Sequence, residues 1–204
     1  MSPSAPSPAS ACSPFPARSP ACVLLGGSRS LGPSPLVGAV VRAVLASGSA
    51  VRVGCAVGAD AAVVRAALGV PGGASSLVVF AAFSASLAGA WSGSAVAAVS
   101  GAARVGASVS WLAGGSLSLP LRARLIRRSR AALAGCSAAV FFLSSPSSPG
   151  SLAVAGFAVA AGQPVFAFCP SVPSAPRGCA GRWVSSSFLG FACWAWSPAQ
   201  ASLF

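Results

Sequence analysis

The sequence predicts an α/β fold: a doubly wound, mostly parallel sheet in a single domain. Three observations predict it. Short apolar runs recur, and each ends in glycine or small polar residues. Segments with helical apolar spacing separate those runs. The first run, Val23-Leu24-Leu25-Gly26-Gly27-Ser28-Arg29-Ser30-Leu31-Gly32, hands a glycine turn to a helix-like stretch, as a buried parallel strand does.

The elements follow in order. Ala21–Gly27 reads as the first strand. Leu36–Ala46 carries Leu36, Val37, Val40, Val41, Val44 and Leu45 on one helical stripe, and Gly48 stops it. Val51–Gly54 is a short second strand. Asp60–Leu68 is a helix ended by Gly69 and Pro71. Leu77–Phe80 is a third strand. A helix is placed over Ser94–Arg104 and a strand over Ala107–Leu112. Leu119–Gly135 is a basic helix with Arg122, Arg124, Arg127, Arg128 and Arg130. Ala138–Leu143 is a strongly apolar strand, Ser151–Ala161 a helix closed by Gly162, and Pro164–Phe168 the last strand. Beyond Pro170 the periodicity degrades. Residues 171–204 are expected to form an irregular extension whose tryptophans cover a core edge, with a base-stacking platform as the alternative. Residues 1–20, rich in Pro, Ser and Ala, are expected to form a disordered tail without a secretory h-region. Residues 21–170 then form the domain.

Composition is unusual. Of 204 residues, 55% are hydrophobic but only 7% charged, and the net charge is +12. A quarter charged is ordinary. There is no Lys, Asn, Thr, Glu, His or Tyr, and Asp60 is the sole acidic residue. The missing types share codons with adenine at the first or second base, whereas Arg, Ser, Ala, Gly, Val and Pro have adenine-free codons. An adenine-poor coding strand therefore removes acids and lysines together and leaves arginines. Whatever its origin, the positive balance attracts polyanions in a salt-dependent way. Asp60, surviving such a bias, points to a local role, with helix capping as the bland alternative.

The absence of His excludes Ser–His–Asp catalysis and mixed Cys–His zinc sites. Seven cysteines without C-x-x-C spacing read as buried free thiols, which fits a reducing, cytoplasmic compartment. Mean hydropathy is +0.80, yet no stretch supplies the ~20 uninterrupted apolar residues of a membrane span.

Three stretches form a constellation. The first is Gly26–Gly32. The second, Gly54-Cys55-Ala56-Val57-Gly58-Ala59-Asp60, is a small-residue turn into a helix. The third runs from Arg128-Ser129-Arg130 through the apolar strand to Ser148-Pro149-Gly150-Ser151, then Ala161-Gly162-Gln163-Pro164-Val165. In a parallel sheet such turns gather at the carboxyl ends of the strands. Glycines let a backbone approach an anion closely, helix starts supply N–H groups, and Ser28 and Arg29 add donors. Arg122 and Arg124 are expected on a solvated helix face. Arg128 and Arg130 cannot both enter one site at helical spacing, so one faces solvent.

The order G-S-R, G-x-x-x-G-x-D, R-x-R, G-S and G-x-P-V resembles the SLOG superfamily of Rossmann-like domains over about residues 22–170. It is closest to the DNA processing protein A family, to which the Lonely Guy phosphoribohydrolases are related. The resemblance implies Gly26, Gly27, Ser28 and Arg29 near a phosphate, Arg128 near the same ligand, Gly58 and Asp60 at the second turn, and Gly150 and Ser151 as a second phosphate cradle. It implies a nucleotide or single-stranded DNA as partner, no cofactor, no metal and no catalytic residue; a homodimer stays open. Departures exist. The usual Asn after the arginine is Ser129. The Lonely Guy enzymes place a glutamate soon after G-T, whereas Leu152, Ala153 and Val154 follow Gly150-Ser151 here. The expectation is therefore non-catalytic binding of a phosphate-bearing ligand. The alternatives are an N-glycosidic hydrolase using Asp60, or a structural or non-functional product of a biased frame.

Overall fold

The computed structural model describes residues 22–199. The expectations for the N-terminal tail, Cys12 and the last five residues lie outside them. Strand β1 (Cys22–Gly27) is the centre of an α/β sheet, because its side chains are buried on both faces. Val23 and Leu25 enter one apolar layer and Cys22 and Leu24 the other. That is the two-sided burial a doubly wound sheet demands of its central strands.

The chain then runs α1 (Pro35–Ala46), β2 (Ala50–Val53), α2 (Ala59–Leu68), a 3₁₀ turn at Gly73–Ser76, β3 (Leu77–Phe80), α3 (Gly93–Arg104), β4 (Ser108–Ser110), α4 (Leu121–Leu133), β5 (Ala138–Phe142), α5 (Pro149–Ala160) and β6 (Val165–Phe168). A hairpin, β7 (Gly181–Phe188) and β8 (Phe191–Pro198), follows. The eight strands form one sheet in the order β4-β3-β2-β1-β5-β6-β8-β7. The first six of these are parallel, and β8 and β7 add antiparallel. The mostly parallel, Rossmann-like sheet expected from the strand–helix alternation is therefore present. Helices α1–α3 cover one face through residues such as Val40, Val63 and Val99, and α4 and α5 cover the other through Ala132 and Ala155.

Element bounds match the expectations to within about two residues, except for two corrections. The segment after Pro170 is not an irregular extension, because Gly181–Pro198 is a paired hairpin docked on β6. Its tryptophans are packed as expected of a core edge: Trp183 and Trp196 meet edge-on at 5.3 Å, and Trp183 Nε1 donates to the Ser174 carbonyl at 3.0 Å. The other correction is Arg124, which is buried rather than solvated. No helix among the described residues is long and apolar enough to cross a membrane.

Strand order fixes where a ligand can sit. From β1 the chain winds outward through β2, β3 and β4, then crosses back along α4 to place β5 on the other side of β1. The loops after β1 and β5 consequently diverge to opposite faces and leave a crevice at their carboxyl ends.

Candidate functional site

The crevice is a cleft of about 1200 Å³, walled by the turns after β1, β2 and β5 and by the facing sides of α4 and α5. Of the residues singled out in the sequence, Gly26, Gly27, Ser28, Arg29, Asp60, Arg128, Gly150 and Ser151 all line it. Gly58 does not. It lies beneath the first turn with φ of +74°, and a Cβ there would collide with the Ser28 and Arg29 carbonyl oxygens. Its glycine is needed for that close approach and for the left-handed backbone that starts α2.

The first turn is built by Ser28. Its N–H donates to the Phe142 carbonyl at 2.9 Å, and its own carbonyl accepts from the N–H of Ala59 at 3.0 Å. Its hydroxyl accepts from the N–H of Ser144 at 3.0 Å and shares a 2.6 Å hydrogen bond with the Ser148 hydroxyl. Ser28 is thus buried and ties the turns after β1, β2 and β5 together, rather than standing free as a donor. Arg29, next in sequence, is exposed at the rim. A Cβ at Gly27 would strike the Phe142 backbone, so β1 and β5 approach this closely only with glycine there.

At the floor lies an ion pair. Arg128 Nη1 is 3.3 Å from Asp60 Oδ2, with both side chains more than nine-tenths buried. Asp60 sits in the first turn of α2, and its Oδ2 also accepts the Ala56 N–H at 3.0 Å. Burial pushes the Asp60 carboxyl above the ordinary carboxylate range; Arg128, the Ala56 N–H and Arg29 pull against it. Room for the guanidinium comes from Gly54, where a Cβ would overlap Arg128 and press on Asp60. The Arg128 Nε is buried without a hydrogen-bond partner. A buried, incompletely satisfied guanidinium facing an open cleft retains capacity for an anion.

Arg130 takes the outward role: it is exposed, and its guanidinium lies 4.2 Å from the Phe157 ring centroid. Arg122 and Arg177 are exposed along the cleft, as Arg29 is, so the rim is positive with no acidic side chain to offset it. Ser129 donates its hydroxyl back to the Leu125 carbonyl at 2.9 Å. At the second cradle, Gly150 is exposed and Ser151 buried in the first turn of α5, where backbone N–H groups lack intrahelical acceptors. A Cβ at Gly150 would meet nothing within 4 Å.

Sequence reasoning did not single out Gly54, Ser148 or Arg177, nor the apolar wall of Leu121, Leu125, Ile126 and Phe157. Gly54 and Ser148 stood inside the sequence motifs, but their tasks, making room and bonding Ser28, depend on partners 74 and 120 residues away. Arg177 came from the stretch read as irregular.

The six described cysteines are free thiols, four of them buried. No family model matches the chain, and the searches of curated proteins and of solved structures also found no match.

Proposed function

We propose that the cleft binds a phosphate-bearing ligand, a nucleotide or single-stranded DNA, without catalysing its turnover, in the manner of the DNA processing protein A type within the SLOG superfamily. The observation that carries this reading is the buried Arg128, oriented by Asp60 at the floor of a cleft whose rim holds Arg29, Arg122 and Arg177. A phosphate oxygen entering the cleft would gain a charge-assisted hydrogen bond in a partly desolvated place. The helix start at Gly150 and Ser151 supplies a second anion-favouring position on the opposite wall. The strip of Leu125, Ile126 and Phe157 between the helices offers an apolar surface for a base.

The N-glycosidic hydrolase alternative is disfavoured by the pairing of Asp60. Its Oδ2 is taken by Arg128 and by the Ala56 N–H, and no second carboxylate or imidazole stands in the sequence to move a proton. The test is a thermal-shift and titration series with a nucleoside monophosphate, short single-stranded DNA and inorganic phosphate. Saturable binding that raises the melting temperature supports the reading. Release of free base from the monophosphate would replace it with the hydrolase, and no shift with any of the three would overturn both.

A further inference from the structure

At the opposite end of the two strands that carry the cleft, two thiols meet. Cys22 opens β1, and Cys136 lies in the turn that leads α4 into β5. They are 114 residues apart in sequence, yet their Sγ atoms are 3.6 Å apart. Both are buried, at 9% and 6% exposure. Among the described residues no other two sulfurs are in hydrogen-bonding contact.

The surrounding backbone is clamped on both sides of this contact. The Ser137 N–H and hydroxyl both donate to the Cys22 carbonyl, at 2.9 and 2.8 Å. Gln163 Nε2 donates to the Cys136 carbonyl at 2.7 Å and to the Leu133 carbonyl at 3.2 Å. Arg52 Nη1 donates to the Ala134 carbonyl, which places its guanidinium beside the pair. A disulfide needs the two sulfurs, now 3.6 Å apart, to approach to roughly 2.05 Å. The hydrogen bond with Cys136 pulls the Cys22 thiol down to about 7, with burial opposing and Arg52 assisting, while the same contact and burial push Cys136 up, its Sγ also donating to the Ala132 carbonyl at 3.2 Å. A thiolate is the reactive form, and a neighbouring thiol able to resolve it marks an oxidisable pair.

We propose that Cys22 and Cys136 form a two-thiol oxidation site, closed to an intramolecular disulfide by a peroxide-class oxidant. The Cys22 thiolate attacks one peroxide oxygen, the O–O bond breaks, and the leaving oxygen departs as water after protonation. Cys22 is then a sulfenic acid. The Cys136 sulfur attacks the Cys22 sulfur, the S–O bond breaks, and the hydroxide leaves as water with the Cys136 proton. In sum, two thiols and hydrogen peroxide give one disulfide and two waters; the sulfurs lose two electrons and the peroxide gains them. Cys55 and Cys193 behave differently: burial pushes both thiols up, Cys193 to about 11, and neither has a sulfur in hydrogen-bonding contact among the described residues. The new bond staples β1 to β5 at their amino ends and closes a long loop in the unfolded chain, which stabilises the native state.

The experiment treats the full chain with limiting hydrogen peroxide, blocks residual thiols, and maps the peptides without reductant. The expected result is a cross-linked peptide containing Cys22 and Cys136, with a melting temperature raised by ~5 °C or more and restored by dithiothreitol. The Cys22→Ser variant should lose both the cross-link and the rise. Recovery of Cys22 unmodified, over-oxidised or joined to a cysteine other than Cys136 would overturn the proposal. Because the peptide map is read on the unsubstituted chain, it remains decisive even where Cys22→Ser folds poorly.

Discussion

Two ends of the same sheet edge differ in how they are filled. Beyond β3 the carboxyl end is plugged by aromatic rings. Phe83 is fully buried and is met edge-on by Trp91 at 5.8 Å and by Trp111 at 5.9 Å. Arg124 seals this end, with Nη1 donating to the carbonyls of Ala82 at 2.7 Å and Gly89 at 3.0 Å. Beyond β1 and β5 the same edge carries Gly26, Gly27, Ser28 and Gly54, and the space stays open. Arg128, one helical turn after Arg124, has one carboxylate partner there and a cleft beside it. The same residue type four positions apart on α4 thus serves as a structural pin at the closed end and as a held cation at the open end. Filling decides the role: large rings leave only backbone carbonyls for Arg124, whereas small residues leave Arg128 room for a ligand.

The comparison breaks if the two ends respond alike to substitution. The largest effect is expected at the closed end. Phe83→Ala should lower stability by about 3–5 kcal/mol in denaturant unfolding, through lost burial and a residual cavity. Phosphate-ligand affinity, measured where the variant is still folded, should stay unchanged. Arg29→Ala at the open end should show the reverse. Titration at moderate salt should reveal a loss of roughly 1.5–3 kcal/mol in binding, the range for hydrogen bonds to charged groups. Its melting should shift by no more than about 0.5 kcal/mol equivalent, since the side chain is exposed.

Gly150→Leu sharpens the contrast between the two cradles. The position has open space around it, so folding should be normal while the bulky side chain intrudes on the cleft. A binding titration should register at least a tenfold weakening, about 1.4 kcal/mol. Full binding by the folded variant would reduce Gly150-Ser151 to an ordinary helix start.

The smallest effect concerns pH. Burial raises the Asp60 carboxyl in the folded state. Between the unfolded value near ~3.9 and the raised folded value, the native state holds a proton that the unfolded chain has released. The contribution is present in full below the unfolded value and is lost as pH rises through the folded one. Unfolding midpoints at pH 4.5 should therefore equal or slightly exceed those at pH 7, contrary to ordinary acid destabilisation. A clear fall at pH 4.5, absent in Asp60→Asn, would show that Arg128 outweighs burial.

Much of the fold was legible because β1, β3, β5 and β6 are short apolar runs, and the helices between the strands carry stripes such as Val37-Val40-Val41-Val44. The β7–β8 hairpin was not. Its buried residues are Trp183 and Phe188 on one strand, Cys193 and Trp196 on the other. Within each strand the two positions have opposite parity, since Trp183 and Trp196 join the layer under α4 and α5 while Phe188 and Cys193 join the other. A hairpin that buries one side chain per face per strand shows no period of two. The site was legible at its backbone turns, where glycine and serine cluster. The burial of Arg124 was not, because its acceptors are carbonyls at Ala82 and Gly89, and nothing in a side-chain pattern marks a free carbonyl. Asp60 stood out through composition alone, but its partner 68 residues away required the fold.

The most direct measurement is a titration of nucleoside monophosphate against the unsubstituted chain and the double variant Asp60→Asn/Arg128→Met. The double change removes one charge of each sign, so the net charge of +12 and any nonspecific attraction it causes stay the same. It also leaves neither member of the pair behind as an unpaired buried charge, so the fold should survive. A held cation at the cleft floor predicts saturable binding to the unsubstituted chain and a loss of at least tenfold, about 1.4 kcal/mol, in a double variant whose melting remains cooperative. Equal affinity in the two proteins would contradict it.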